Sequence, residues 1–117
     1  MPAKPHDLEA RTEAFASAIR LFVRRLPRTV SNIEDVKQLV RSSGSIAANC
    51  IEANESLGGR DRVMRFRIAR KEAKESRLWL GLLNTAENHE LERQRAELIQ
   101  ESTELKLILT AIIKKLE

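Results

Sequence analysis

The chain has 117 residues, a length that suits one domain with a real hydrophobic core. Only 3% of the residues are aromatic, and the apolar content comes mostly from Leu, Ile, Val and Ala, which favours packed helices over a strand-rich fold. The formal net charge is +4. Because the sequence contains no run of about 18 apolar residues and no apolar region near its start, we expect a cytoplasmic protein without a membrane-spanning segment.

The chain begins with a segment that contains two prolines, and we predict a disordered tail over residues 1–6 and a single domain over residues 7–117. Asp7 is expected to cap the first helix, which should end at Pro27. Apolar residues at spacings of seven, four, three and four predict its buried face: Leu8, Phe15, Ile19, Phe22 and Leu26. The arginines that follow, Arg24, Arg25 and Arg28, suit the negative end of the helix dipole or, alternatively, a ligand.

A capping box at Ser31-Asn32-Ile33-Glu34 predicts the start of the second helix. Its apolar line comprises Val36, Leu39, Val40, Ser43, Ile46, Ala47, Cys50 and Ile51. Gly44 lies in the middle of this helix, where it should cost about 1 kcal/mol relative to Ala. Small residues around it predict that another backbone packs closely here, and a kink at Gly44 is the alternative.

Leu57-Gly58-Gly59 predicts the end of the second helix with a left-handed glycine, and Asp61 is a candidate cap for the third. A phosphate-binding turn is the alternative, but the Walker spacing is missing. The third helix is expected to run to about Glu87. Its core-facing stripe comprises Phe66, Ala69, Ala73, Leu80 and Leu83.

After a turn at Asn88-His89, leucine and isoleucine recur every seven residues and predict the fourth helix. The members of this repeat are Leu91, Leu98, Leu105 and Ile112, with Leu109 and Leu116 on a second line. Four long helices with short connections predict an all-α, antiparallel, up-down-up-down four-helix bundle.

The third helix carries two further faces besides its core stripe. A second apolar line, formed by Met64, Ile68, Trp79, Leu82 and Ala86, is more than one small bundle can easily bury. We therefore predict that Met64, Ile68, Trp79 and Leu82 form the interface of a homo-oligomer. The remaining sector carries a basic band that we predict to bind nucleic acid: Arg67, Arg70, Lys71, Lys74 and Arg77.

No catalytic, metal or cofactor site is predicted. Paired Glu-x-x-His motifs and a nucleophile with its base are both missing, and Cys50 reads as a packed thiol more readily than as a nucleophile. Glu72 and Glu75 are expected to pair with nearby cations, with perturbed acids as the alternative. The polar line of Asn49, Glu52 and Asn54 predicts hydrogen bonds between helices, with a ligand site as the alternative.

Three segments resemble a known family: SIAANCIEA, RDRVMRFRIARKEAKESRLWLGLL and ELKLILTAIIKKL. They are similar to the four-helix-bundle proteins encoded in 23S rRNA intervening sequences, a family with a related branch of accessory proteins in diversity-generating retroelements. The resemblance implies a homopentamer. In the retroelement branch it also implies a basic protein that works with a reverse transcriptase and nucleic acid.

Two classes of function therefore remain. The first is a non-enzymatic oligomer that binds RNA or DNA nonspecifically through the basic band, possible partners being the nucleic acid itself and a nucleic-acid enzyme. The second is a purely structural assembly, or a scaffold for a protein partner, whose charges keep it dispersed. An enzyme is a more distant alternative.

Overall fold

Four long helices make up the fold. The structure, a computed structural model, describes the backbone of residues 5–117 and the side chains from Asp7 onward. The helices are α1 (Pro5–Val23), α2 (Val30–Glu55), α3 (Gly59–Leu82) and α4 (His89–Leu116), with no strand among the described residues. The predicted all-α class is confirmed. The predicted tail falls mostly outside the described residues, and because α1 begins at Pro5, Asp7 lies in its first turn and not at its cap.

The helices form an antiparallel ring. Each packs against its neighbours in sequence, and α1 also packs against α4. Contacts between the ends fix the directions: Asn54 near the end of α2 bonds to Glu9 near the start of α1, and Arg67 of α3 bonds to Glu117 at the end of α4. This arrangement confirms the up-down-up-down four-helix bundle.

The core follows the predicted apolar periodicity. Every predicted core residue of α1 and α3 is buried. On α2 and α4 most members of each line are buried; Val36, Val40, Ala47 and Ile112 are partly buried, and Ile51 and Leu116, near the helix ends, are exposed. Burying apolar surface yields about 25 cal/mol per Å², so these stripes supply the main driving force for folding.

One buried polar residue links the two connections at one end of the bundle. The side-chain amide of Asn32, which is only 1% exposed, donates to the carbonyls of Pro27 (2.9 Å) and Asn84 (2.8 Å). Its carbonyl oxygen accepts from the backbone N–H of Asn84 at 2.9 Å. We call Asn32, together with these backbone groups of Pro27 and Asn84, the junction, and it ties the α1–α2 connection to the α3–α4 connection.

The helix caps differ from those predicted. Thr29, and not Ser31, caps α2 by accepting from the backbone N–H of Asn32, because α2 begins at Val30 and Ser31 already lies in its first turn. The predicted left-handed glycine is also wrong, since Gly58 has an extended conformation (φ −113°) as the N-cap of α3. Asp61 lies in the first turn of α3, where its carboxylate accepts from the hydroxyl of Ser56 instead of capping the helix.

The third helix ends five residues before the predicted limit, at Leu82. Left-handed backbone occurs in the connection that follows, at Ala86 (φ 55°) and Glu87 (φ 59°). Ala86 therefore does not belong to the second apolar line of α3. The turn is held by the hydroxyl of Thr85, which donates to Glu92, and by Arg95, which donates to the carbonyl of Leu83.

Gly44 makes room for a side chain and not for a backbone. α2 runs through it without interruption, and a Cβ atom placed there would lie 3.3 Å from a guanidinium nitrogen of Arg20. That guanidinium donates to the carbonyl of Ala16 (2.9 Å) and reaches towards the carbonyl of Val40 (3.5 Å). The close approach that the small residues predicted is thus made by Arg20.

Candidate nucleic-acid interface

The five residues of the predicted basic band differ in whether their side chains have hydrogen-bond or ion-pair partners. Arg67 forms an ion pair with Glu117, and half-buried Arg70 reaches the hydroxyl of Thr110 at 3.5 Å. Lys71, Lys74 and Arg77 are exposed and make no hydrogen bond or ion pair with any residue that the structure describes. These three cations are available to an external anion.

Asp61 and Glu72 lie on the flank of α3 that faces α2, whereas Glu75 borders both that flank and the hollow that the cations share with Leu78. Glu72 and Glu75 line a hollow of about 170 Å³ between these helices, together with Gln38 and Arg41 of α2. Asp61 bonds to Ser56 at the end of α2. Towards α4, α3 carries Arg70, Lys74 and Arg77, and Glu75 is the carboxylate of the same helix that shares a hollow with Arg70 and Lys74.

The charged side chains of α4 also differ from one flank to another. Glu101 and Glu104 turn towards α1, where Arg11 bonds to Glu101 through two nitrogens, each at 2.8 Å, and to Glu104 at 3.2 Å. Thr110 contacts Arg70 of α3, and half-buried Lys106, one turn earlier, lies on the same side of α4. We call Arg70, Lys74 and Arg77 of α3, together with Lys106 of α4, the basic edge.

Sequence reasoning missed Lys106 as part of the basic edge. It is the only charged residue among the last leucines and isoleucines of α4 before Lys114, and the heptad pattern considered only its apolar neighbours. The signal was available as a lysine one helical turn from Thr110, but its partner helix could be identified only from the packing.

The predicted oligomer interface is divided by the fold. Met64 and Leu82 are 50% and 54% exposed, whereas Ile68 and Trp79 are partly buried and Trp79 packs against the core. Leu78, which was not predicted, is 51% exposed and lies within about 40° of Met64 and Leu82 around α3. We call Met64, Leu78 and Leu82 the apolar strip.

The apolar strip and the basic band meet on the surface. Leu78 shares an open hollow of about 360 Å³ with cations of the band and with Glu75. Lys71 lies within the angular range of the strip, whereas Lys74 and Arg77 lie on its α4 side. The two predicted surfaces are therefore adjacent, and Arg70 and Lys74 of the basic edge border the strip at this hollow.

The remaining candidates have structural surroundings. Cys50 is fully buried, and burial raises the pKa of its thiol to about 12, as expected of a packed cysteine. Asn54 makes the predicted bond between helices, but Asn49 bonds within α2 and Glu52 is exposed.

Other charge predictions have different outcomes. Glu72 and Glu75 form no ion pair in the described part of the chain, so their predicted pairing is wrong for the single subunit. Arg24, Arg25 and Arg28 are exposed beyond the end of α1. Across residues 5–117 no helix is both long and apolar enough to cross a membrane. The same residues contain no cluster of side chains that could hold a metal ion.

These observations define an all-α four-helix protein with a basic edge, in which Lys74 and Arg77 have no partner among the described residues. The chain belongs to the family of 23S rRNA-intervening sequence proteins, which it matches over residues 6–111. This result confirms the resemblance seen in the sequence for the intervening-sequence family. It does not concern the retroelement accessory proteins, so that relationship stays a prediction.

A solved structure extends the comparison. The chain is similar to a protein with unknown function from the S23 ribosomal protein family from Bacteroides thetaiotaomicron, with 31% sequence identity and a TM-score of 0.79. The match covers 96% of this chain and 99% of that one. No curated protein matches the chain. Neither match indicates an enzymatic activity.

Proposed function

We propose that the protein is a non-enzymatic homo-oligomer that binds nucleic acid through the basic edge without reading its sequence. The observation that carries this proposal is the sorting of charge on α3 and α4. Lys74 and Arg77, which have no partner among the described residues, lie with Arg70 and Lys106 on the facing flanks of α3 and α4, whereas Glu72 lies towards α2 and Glu101 and Glu104 lie towards α1. Such a surface attracts phosphates, and contacts to phosphates alone position a nucleic acid without specifying its sequence.

The apolar strip supports the assembly part of the proposal. Met64, Leu78 and Leu82 each expose about half of their surface on one helix face, and exposed apolar patches of this kind mark interfaces. A homopentamer is the assembly that the family resemblance implies. Since each subunit carries one basic edge, a closed ring presents several edges at once and strengthens weak phosphate contacts by avidity.

Charge reversal tests the basic edge directly. Lys74→Glu combined with Arg77→Glu should weaken binding to a labelled generic duplex at least about tenfold. It should also make the negative slope of log affinity against log salt shallower by about two. Arg24→Glu combined with Arg28→Glu is the matched control, because it makes the same charge change at exposed positions away from α3. Equal losses in the two double variants would show that only net charge matters, and the assigned site would then be wrong.

The apolar strip has its own test. Leu78→Glu combined with Leu82→Glu should lower the mass measured by light scattering to that of one subunit, while circular dichroism still reports a helical protein. Leu107→Glu is the control, since Leu107 is 57% exposed on α4, outside the strip. A wild-type protein that already has the mass of one subunit at micromolar concentration would remove the assembly from the proposal.

A scaffold without a nucleic-acid role is the second candidate, and one observation favours it: Lys71 and Leu78 share one hollow. Cations next to exposed leucine side chains suit an acidic, apolar protein surface. If the wild-type oligomer retains no DNA or RNA even at low salt, the scaffold replaces the proposed function.

A further inference from the structure

Aromatic side chains are missing from the surroundings of the basic edge. The chain has three phenylalanines, one tryptophan and no tyrosine. Phe15, Phe22 and Phe66 are at most 3% exposed, and Trp79 packs against the core. Trp79 also lies about 160° around α3 from Arg77, two residues earlier, so it faces away from the edge.

The guanidinium groups near the basic edge offer little replacement for the missing aromatic side chains. Arginine can stack on a base through its planar group, but Arg67 is paired with Glu117 and Arg70 reaches Thr110. Arg77 is the one arginine of the basic edge without a partner among the described residues, and the lysine ammonium groups are compact charges without a flat face. Proteins that bind single strands usually combine a positive groove with side chains on which the bases stack. The basic edge has only the first of these two elements.

We infer that the basic edge binds the phosphate backbone of a double-stranded nucleic acid in preference to a single strand. This inference rests on the proposed function and names its ligand class. In a duplex the bases already stack on each other, so a protein that offers only cations loses nothing by leaving them alone. The row from Arg70 to Arg77 rises about 10 Å along α3, enough to follow consecutive phosphates of one strand.

The charge density of a duplex sets the size of the expected preference. Each neutralised phosphate contributes about −0.9 to the salt slope for a duplex and about −0.7 for a single strand. For about three phosphates, the salt slopes of duplex and single-strand binding differ by about 0.6. If the two affinities are equal at 1 M salt, this difference gives about sixfold tighter binding of the duplex at 50 mM salt. Avidity in the oligomer increases this ratio.

The test uses the full-length oligomer and probes with equal numbers of phosphates. A blunt DNA duplex, a blunt RNA duplex and an unstructured single strand are each titrated at several salt concentrations. Both duplexes should bind at least about sixfold more tightly than the single strand at 50 mM salt. If only one duplex shows the preference, the ligand is that duplex and the other source is excluded.

Intrinsic fluorescence provides a second readout without any substitution. Because Trp79 is the only tryptophan, its emission reports directly on base stacking. Saturation with the single strand should leave the emission unchanged. Single-strand binding as tight as duplex binding, or quenching of Trp79 by the single strand, overturns the inference while leaving the proposed function intact. Binding of none of the probes overturns both.

Discussion

The junction and the basic edge treat polar groups in opposite ways. At the junction, the side-chain amide of Asn32 is buried and bonds to the backbone at three points. At the basic edge, Lys74 and Arg77 are exposed and unpaired among the described residues. Loss of a hydrogen-bond partner by a buried polar group lowers the free energy of unfolding, whereas an exposed polar group without a protein partner is hydrated by water. The difference therefore separates residues that stabilise the bundle from residues that are free to bind.

The largest effect on stability is expected at the junction. Asn32→Ala should lower the free energy of unfolding by about 2–4 kcal/mol, because it removes three hydrogen bonds that the buried Asn32 side chain makes to the backbone of Pro27 and Asn84. Urea unfolding followed by circular dichroism measures the loss. Asn84→Ala is the control, since Asn84 takes part in the junction through its backbone and its side chain only accepts from Ala86. Equal losses in the two variants would contradict the role of the junction.

A smaller loss is expected where a charged group is paired between helices. Arg11→Gln should cost about 1 kcal/mol, and less at high salt, because it removes the two-point contact of α1 with Glu101 of α4. Arg93→Gln provides the comparison, since Arg93 pairs with Glu90 and Glu97 of its own exposed helix face. Its loss should be at most about 0.5 kcal/mol. A larger loss of unfolding free energy for Arg93→Gln than for Arg11→Gln would show that the ion pair between α1 and α4 does not stabilise the bundle.

Substitution of Gly44 tests whether the hydrogen bonds of the exposed Arg20 side chain to the backbone stabilise the bundle as those of the junction do. Gly44→Ala should raise the free energy of unfolding by about 0.5–1 kcal/mol, since Ala favours the helix and the exposed end of Arg20 can move away. Gly81→Ala is a suitable reference because nothing lies within 4 Å of a Cβ atom at that position. Thermal unfolding of both variants gives the comparison. A destabilised Gly44→Ala protein beside a stabilised Gly81→Ala protein would show that the bonds of Arg20 are needed.

The smallest change in stability is expected at the basic edge itself. Lys74→Gln combined with Arg77→Gln should alter the free energy of unfolding by less than about 0.5 kcal/mol, because neither side chain has a partner to lose. Urea unfolding and light scattering on the same samples measure stability and mass together. A loss above about 1 kcal/mol, or a change in mass, would place these cations inside the assembly and favour the scaffold.

The sequence by itself determined the four helices, their buried stripes and the concentration of cations on α3. The apolar stripes that run from Leu8 to Leu26 and from Phe66 to Leu83 could be assigned to the core. The 3.6-residue period of a helix places residues at that spacing on one face. The same geometry placed Lys74 and Arg77 on one surface. The resemblance carried by these segments was sufficient to indicate the family.

Only the tertiary structure decided which polar groups are used and which remain free. The backbone N–H of Asn32 donates to the cap Thr29, while its side chain bonds to Asn84, a residue 52 positions away in sequence. In the same way, Lys106 joins the basic edge and Trp79 is partly buried because of the helices that lie beside them. Periodicity describes one helix at a time, whereas a hydrogen-bond partner or a neighbouring charge is supplied by another helix, so these features depend on packing that no local pattern records.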